Sequence, residues 1–120
     1  MKVLFLDPIH KVWEFFRGLT ANPALIYLAA VARRDFNVKV YDAYAESGRP
    51  WNKTAEYLER ERPDVICIPG SLPSFWYDVL NCAKLIREIL PEAKIITGGY
   101  ISNQLWREGL DGGLIDYIVI

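Results

Sequence analysis

Short apolar runs recur five times along the chain, and most of them end at residues that interrupt regular structure. The first run ends at Asp7 and Pro8, and the third ends at Pro69 and Gly70. The first run lacks an alternation of apolar and polar residues, which is typical of a parallel strand buried on both faces, and the later runs are similar. The pattern predicts five strands, at residues 2–7, 38–41, 65–68, 94–97 and 115–120.

Helical patterns separate these predicted strands. The first predicted helix has Asn22 as its N-cap and Pro23 at its first position. The third has Ser74 as its cap, and a shorter fourth helix is predicted to begin near Ser102. Spacings of three and four residues predict the buried faces, which are Leu25, Leu28, Ala29, Ala32 and Phe36 in the first helix, Trp51, Ala55 and Leu58 in the second, and Val79, Ala83, Ile86 and Leu90 in the third.

Strands that alternate with helices indicate right-handed βαβ crossovers, and therefore a parallel sheet. We predict an α/β fold of the flavodoxin-like or Rossmann-like kind, with a doubly wound five-stranded sheet in the order 2-1-3-4-5 and three α/β/α layers. Residues 1–120 make one domain. The chain stops within its fifth strand, so we expect it to be the N-terminal domain of a longer protein. Any ligand should bind at the carboxyl ends of the strands.

The composition limits the classes of partner that we expect the chain to bind. Apolar residues make up 52% of the chain and the net charge is −1, which argues against disorder and gives no electrostatic reason to bind nucleic acid or an anionic membrane. No apolar run approaches the roughly 20 residues of a membrane span, and no secretory signal is present. Cys67 and Cys82 lie outside any CxxC pattern, so we predict that both are reduced core residues of a cytoplasmic domain.

The loops after the third and fourth predicted strands hold the first candidate binding residues. Gly70 permits close approach of the backbone, and the hydroxyls of Ser71 and Ser74 are able to bond a ligand at a helix N-terminus. Gly98 and Gly99 remove side chains where the backbone turns sharply or where a large flat ligand passes. Turning and capping alone would explain these residues equally well.

The segment that follows the first strand, residues 9–19, has apolar residues at the spacing of one helical face. This face either packs on the sheet or forms a lid or docking surface, to which Trp76 and Trp106 would be added. The residues that define the face are Ile9, Val12, Trp13 and Phe16.

His10 is the single histidine of the chain, and it is either a metal ligand, a general base or an ordinary loop residue. The chain has no Ser/His/Asp set with supporting spacing, no P-loop motif and no GxGxxG motif. It therefore has no catalytic set of its own.

As a whole, the chain resembles the N-terminal cobalamin-binding domain of radical SAM enzymes. The resemblance covers nearly all of the chain and rests on seven segments, which are residues 2–8, 23–30, 38–43, 62–66, 70–75, 93–99 and 116–119. It implies that cobalamin lies on the carboxyl edge of the sheet, with its nucleotide tail threaded near the third and fourth strand ends. The residues implied in cofactor binding are Asp7, Pro8, Asp42, Ala43, Gly70, Ser71, Leu72, Ser74, Gly98, Gly99 and Tyr100.

The same resemblance implies a partner, because in this family a catalytic domain follows in the chain. That domain holds S-adenosylmethionine and a 4Fe-4S cluster on a CxxxCxxC motif, and it carries out methyl transfer or rearrangement. No such motif occurs here.

The chain departs from the family in three places. The DxHxxG motif that supplies a lower cobalt ligand is absent, because Asp7 and His10 are one residue too far apart. Pro69 stands where the family often has a serine that contacts the tail, and Asp35 with Phe36 replaces a usual glycine. Two alternatives therefore stay open: a related domain that has lost the cofactor and serves in docking or substrate gating, and an independent domain that binds a flavin or receives a phosphoryl group.

Overall fold

The computed structural model describes residues 1–9, 22–43, 45, 50–71 and 75–120. Strands and helices alternate through most of this range. The strands are β1 (Lys2–Asp7), β2 (Asn37–Asp42), β3 (Val65–Pro69), β4 (Lys94–Gly98) and β5 (Tyr117–Val119). The helices are α1 (Pro23–Ala32), α2 (Pro50–Glu61), α3 (Trp76–Ile89), α4 (Tyr100–Gln104) and α5 (Trp106–Asp111). Among the described residues, no helix is both long enough and apolar enough to cross a membrane.

All five strands pair in parallel, in the order β2-β1-β3-β4-β5. This confirms the predicted order, and β1 is buried over all but its first residue, as its apolar run indicates. The register brings the carboxyl ends of neighbouring strands together: Asp7 lies opposite Asp42, and Gly98 lies between Pro69 and Val119. The candidate loops therefore emerge at one edge of the sheet.

The two faces of the sheet are covered unequally. The larger core lies on the side of α2 and α3, where it includes Leu6, Ile68 and Ile95. On the other side, α1 covers a small cluster that centres on Val3 and Phe5. Helices on both faces make the predicted three layers, and within the described ranges α1 is the helix on its side of the sheet.

Helix α1 begins as the sequence predicts, since the side-chain oxygen of Asn22 accepts a hydrogen bond of 3.1 Å from the backbone N–H of Ala24. The predicted buried face is wrong at two positions, because Leu28 is 51% exposed and Phe36 is 45% exposed. The helix ends at Ala32, before Phe36. Every side of α1 is apolar, so hydrophobic spacing could not identify the side that faces the sheet.

The predicted face of α3 is confirmed, since Val79, Ala83, Ile86 and Leu90 are all buried. In the lid or docking alternative, Trp76 would add to an exposed surface, but it is 2% exposed and does not contribute to one.

The reason is that the first residue of α3 already faces the core, where Trp76 approaches Gly109 of α5. In α2, Leu58 is buried, and Trp51 and Ala55 are half-buried. The predicted fourth helix is interrupted at Leu105, which gives α4 and α5.

Arg87 of α3 fastens the end of the chain to the sheet. Its guanidinium donates hydrogen bonds to the carbonyl oxygens of Ala93, at 2.6 Å, and Leu114, at 3.2 Å, and it also binds the Asp116 carboxylate. The same carboxylate accepts a hydrogen bond of 2.8 Å from the backbone N–H of Ile95. One side chain thus joins α3, β4 and the residues that precede β5.

Asp116 is held ionised by this cluster. Its partial burial acts to raise its pKa, but the N–H of Ile95, the Arg87 guanidinium and the charge of Lys94 outweigh that effect, so the pKa of Asp116 lies below its ordinary value. A carboxylate with a lowered pKa in the folded state stabilises the fold above its unfolded pKa of about 3.9. This stability is lost as the pH falls through the folded pKa.

We expect Asp116→Asn to cost roughly 1–2 kcal/mol of unfolding free energy at neutral pH and to flatten the acid dependence of stability below about pH 4. Urea unfolding between neutral and acidic pH measures both effects. Asp111→Asn, at the exposed end of α5, removes one carboxylate without touching the Arg87 cluster. Equal losses of unfolding free energy in the two variants would contradict the stabilising role of Asp116 in the Arg87 cluster.

Candidate functional site

A cleft of about 490 Å³ opens beside α1, along the carboxyl halves of β3 and β4. Three of the predicted binding residues, Ser71, Gly98 and Gly99, line it. Its volume is within the range of about 300–1,000 Å³ that is typical of small-molecule sites. Its other lining residues are mostly apolar, and they are Phe5, Ala24, Leu25, Leu28, Cys67, Ile68, Pro69, Ile96, Thr97 and Val119.

The cleft lies where the described residues leave the α1 side of the sheet partly uncovered. Helix α1 packs mainly on β1 and β2, and Val65 and Cys67 of β3 pack at the margin of its cluster. Helices α2, α3 and α4 contribute to the core on the opposite face, and Gly109 of α5 packs against Trp76 of that core. In the described part of the chain, the α1 side of β4, β5 and the carboxyl half of β3 therefore remains open. Cys67, Ile96 and Val119 line this open strip, and Leu28 of α1 lines the cleft beside them.

Gly70 and Gly99 allow the loops after β3 and β4 to pack against each other. The backbone N–H of Gly70 donates to the carbonyl oxygen of Gly98 at 2.8 Å, and the Gly70 carbonyl accepts from the N–H groups of Ile101 at 3.0 Å and Ser102 at 3.3 Å. A Cβ on Gly70 would lie 2.0 Å from the hydroxyl oxygen of Ser102. Protein atoms already fill the space beside Gly70, so packing between loops is sufficient to require this glycine.

The backbone conformation of Gly99 also favours glycine at this position. Its φ is +119°, a conformation that is open to glycine, and a Cβ there would lie 2.8 Å from the carbonyl oxygen of Gly70. Gly98 differs from both, because a Cβ on Gly98 would meet the side chain of Val119 at 3.3 Å, within the wall of the cleft. Of the three, Gly98 is the glycine whose missing side chain leaves room at the cleft itself.

Below these loops, the hydroxyls of Thr97 and Ser102 are 3.0 Å apart, and both residues are buried. Each hydroxyl therefore has a protein partner, as buried polar groups generally do. Sequence reasoning predicted Ser102 as a helix start and did not identify this pair.

A second group of predicted residues lies at the ends of β1 and β2. The Ala43 N–H donates to the Asp7 carbonyl at 3.0 Å, and the Ala45 N–H donates to the Asp42 carboxylate at 3.3 Å. Asp7, Pro8 and Ala43 are buried. The structure brings this group together at the carboxyl edge, but none of its members lines the cleft.

Tyr100 begins α4 beside Gly99 and is 67% exposed. Leu72, Ser74 and His10 lie outside the described residues, as does most of the predicted aromatic segment 9–19. Its first residue, Ile9, belongs to the larger core, and Trp106 is 38% exposed at the start of α5.

The lining residues that sequence reasoning missed come chiefly from α1 and from the open strip of the sheet. The available signal was the composition of α1, which has no charged side chain in its 10 residues. A surface helix that is apolar on all sides indicates that something other than the sheet covers it.

Both cysteines are free thiols, as predicted, but their surroundings differ. Cys82 is fully buried, and burial, together with the charges of Asp7 and Asp78, raises the pKa of its thiol. Cys67 is half-buried at the cleft, where burial raises the pKa of its thiol to about 11. No group of three or more metal-ligating side chains occurs among the described residues.

Residues 14–120 match the B12 binding domain family, so the chain belongs to this family. It is 30% identical over 101 residues to an uncharacterised methyltransferase of Pyrococcus horikoshii. That match covers 82% of this chain but 22% of the relative, so the chain spans less than a quarter of that protein.

Solved structures share the fold over 98% of the chain. One is the radical S-adenosylmethionine methyltransferase TsrM from Kitasatospora setae, with a TM-score of 0.75, 16% identity and 22% of that chain covered. Another is a cobalamin-binding protein from Desulfitobacterium hafniense, with a TM-score of 0.66, 13% identity and 52% covered. An adenylate cyclase from Rhodopirellula baltica, with a TM-score of 0.64, 16% identity and 73% covered, shares it as well.

Gly99 and Gly113 both have a positive φ, but Gly99 alone of the two lies in the contact between the loops. We therefore expect alanine to lower the free energy of unfolding more at Gly99 than at Gly113. Gly99→Ala combines backbone strain with a clash, so we expect it to lose roughly 2–4 kcal/mol of unfolding free energy. Gly113, with φ of +69°, has no atom within 4 Å of a built Cβ, so Gly113→Ala should lose only about 1 kcal/mol through strain. Urea unfolding compares the two, and equal losses would contradict the packing role of Gly99.

The raised pKa of Cys67 predicts slow, strongly pH-dependent alkylation. Because the thiolate is the reactive form, the rate of iodoacetamide labelling in the folded chain should rise about tenfold per pH unit between about pH 8 and pH 10. Cys82 should stay unlabelled until urea unfolds the chain. The single variants Cys67→Ser and Cys82→Ser assign each label, and a rate that levels off near pH 9 would refute the raised pKa.

Proposed function

We propose that this chain is a cobalamin-binding module that holds the nucleotide tail of the cofactor in the cleft beside α1. The observation that carries the proposal is that Ser71, Gly98 and Gly99, which the family resemblance implies in tail binding, line one apolar cleft at the carboxyl edge of the sheet. Membership of the B12 binding domain family supports the choice of cofactor.

The chemistry of the lining suits the tail. Apolar walls formed by Leu28, Ile96 and Val119 suit a flat aromatic base and exclude water from it. The exposed Ser71 hydroxyl, at the start of a loop, suits an oxygen of the sugar or phosphate. Bound cobalamin supplies a cobalt centre that is able to carry a methyl group, and the role of this chain is to bind and orient the cofactor.

The remaining predicted residues have a place in the same proposal. Asp7, Pro8, Asp42 and Ala43, at the ends of β1 and β2, would border the opening in which the corrin sits. Tyr100, which is exposed beside Gly99, would flank the tail.

We further propose that the chain is the N-terminal part of a radical SAM enzyme. S-adenosylmethionine and a 4Fe-4S cluster would then belong to a catalytic domain that follows, and this domain would be the partner of the module. The identity to a methyltransferase and the fold shared with a radical SAM methyltransferase favour methyl transfer over rearrangement. The free thiols of Cys67 and Cys82 support a reducing compartment such as the cytoplasm.

A second candidate is a docking or substrate-gating domain that binds no cofactor. Pro69 favours it, because this residue lines the cleft where a hydrogen-bonding serine is frequent in the family, and proline has no N–H to donate. The exposed side chains of Ile26, Tyr27 and Val31 on α1 would serve such docking.

Titration with hydroxocobalamin, followed by gel filtration and visible spectroscopy, tests the first proposal against the second. We expect about one equivalent to be retained, and Ser71→Trp to weaken binding at least about tenfold by filling the mouth of the cleft. Lys84→Trp adds the same bulk at an exposed position of α3, on the other face of the sheet, and should bind like the unmodified chain.

Protection of Cys67 gives a second readout of the same site. Saturating cyanocobalamin should slow its alkylation in the unmodified chain, and should protect it less in Ser71→Trp. A folded chain that retains no cobalamin and shows no protection would favour the docking domain.

A further inference from the structure

Among the described residues, the cleft has few hydrogen-bonding groups to offer a ligand, because several of those nearest to it bond to one another. The Thr97 hydroxyl bonds to that of Ser102, and the N–H of Gly70 bonds to the carbonyl oxygen of Gly98. The carbonyl oxygen of Gly70 accepts from two backbone N–H groups of α4. These pairs hold the two loops in place, so breaking one to bond a ligand would leave a buried polar group without its partner.

The remaining walls add little polarity. Pro69 has no N–H, and Phe5, Leu28, Ile96 and Val119 are apolar. The thiol of Cys67 is neutral near pH 7, since burial raises its pKa, and a thiol is a weak donor and a weak acceptor. Ser71, the lining residue with an exposed hydroxyl, lies at the start of the loop after β3.

Because the cleft offers few polar groups, the bases of cobalamin and of its natural analogues would differ in how favourably they bind there. Dimethylbenzimidazole presents methyl groups and a hydrocarbon ring edge, which lose little when water is removed. Adenine presents an exocyclic amine and additional ring nitrogens, each of which loses hydrogen bonds to water and finds no matched partner in an apolar cleft.

We propose that the cleft selects among cobamides by the base of the nucleotide tail, and that it favours dimethylbenzimidazole over adenine. This inference rests on the proposed function, because it requires the tail to enter the cleft. The inference goes beyond the proposed function because it assigns a preference for one base of the nucleotide tail, whereas the proposed function assigns the cofactor. Leu28 is a specificity residue in this arrangement.

Leu28 is a suitable position at which to test this specificity by substitution. It is 51% exposed on α1 and lines the cleft, so a polar side chain at this position reaches the ligand space without opening the core. Leu28→Gln supplies a donor and an acceptor, and Leu28→Met keeps a similar length without them. Tyr27, the neighbouring residue, is 72% exposed and does not line the cleft, so Tyr27→Gln is a matched control.

The test is a set of dissociation constants for the unmodified chain with hydroxocobalamin, with the same cobamide carrying adenine as its base, and with cobinamide, which has no nucleotide. We expect hydroxocobalamin to bind at least about tenfold more tightly than the adenine form, a difference of about 1.4 kcal/mol. Cobinamide should bind more weakly than hydroxocobalamin. Leu28→Gln should narrow the preference at least about threefold, whereas Leu28→Met and Tyr27→Gln should preserve it.

Each outcome separates the inference from the function on which it rests. Equal affinity for the two bases, or cobinamide binding as tightly as hydroxocobalamin, would overturn the inference and leave cobalamin binding intact. A preference that Leu28→Gln does not alter would also overturn it, because the discrimination would then arise outside the cleft. Failure to bind any of the three corrinoids would remove the proposed function itself.

Discussion

A parallel sheet must be covered on both faces, and among the described residues of this protein one face is covered by a single helix of 10 residues, α1. The opposite face is covered by α3 and its neighbours around a large core, whereas α1 packs mainly on β1 and β2. Within the described residues, an open apolar strip on β3 to β5 follows directly from this imbalance. The candidate site is therefore a property of the layering of the fold, and the side chains that line it are the ones that would otherwise be core.

The carboxyl edge is shaped mainly by backbone contacts. The loops after β3 and β4 are bonded to each other through Gly70 and Gly98, and Gly99 takes a conformation suited to glycine. This contact sets one end of the cleft and pairs several of the polar groups near it. Among the described residues, the site thus combines an apolar interior with a rim at which Ser71 is exposed, which suits a ligand held chiefly by its shape and its aromatic surface.

Membership of the B12 binding domain family supports cobalamin as the proposed ligand, and the mostly apolar cleft is compatible with that proposal. The reaction is a separate question. The chain covers 22% of the methyltransferase relative and 22% of the radical SAM methyltransferase structure, so most of each of those proteins has no counterpart in these 120 residues.

The sequence by itself determined the five strands, their order and the loops at the carboxyl edge, because short apolar runs between helical patterns leave few arrangements for a parallel sheet. It also identified Asn22 as a cap and the buried face of α3, where polar residues mark the outer side. Only the tertiary structure decided which side of α1 is buried, that Trp76 points into the core, and that Gly70 accommodates Ser102. These outcomes depend on which surfaces meet in space, and a uniformly apolar helix or a glycine looks the same in sequence whether its neighbour is a protein side chain or a ligand.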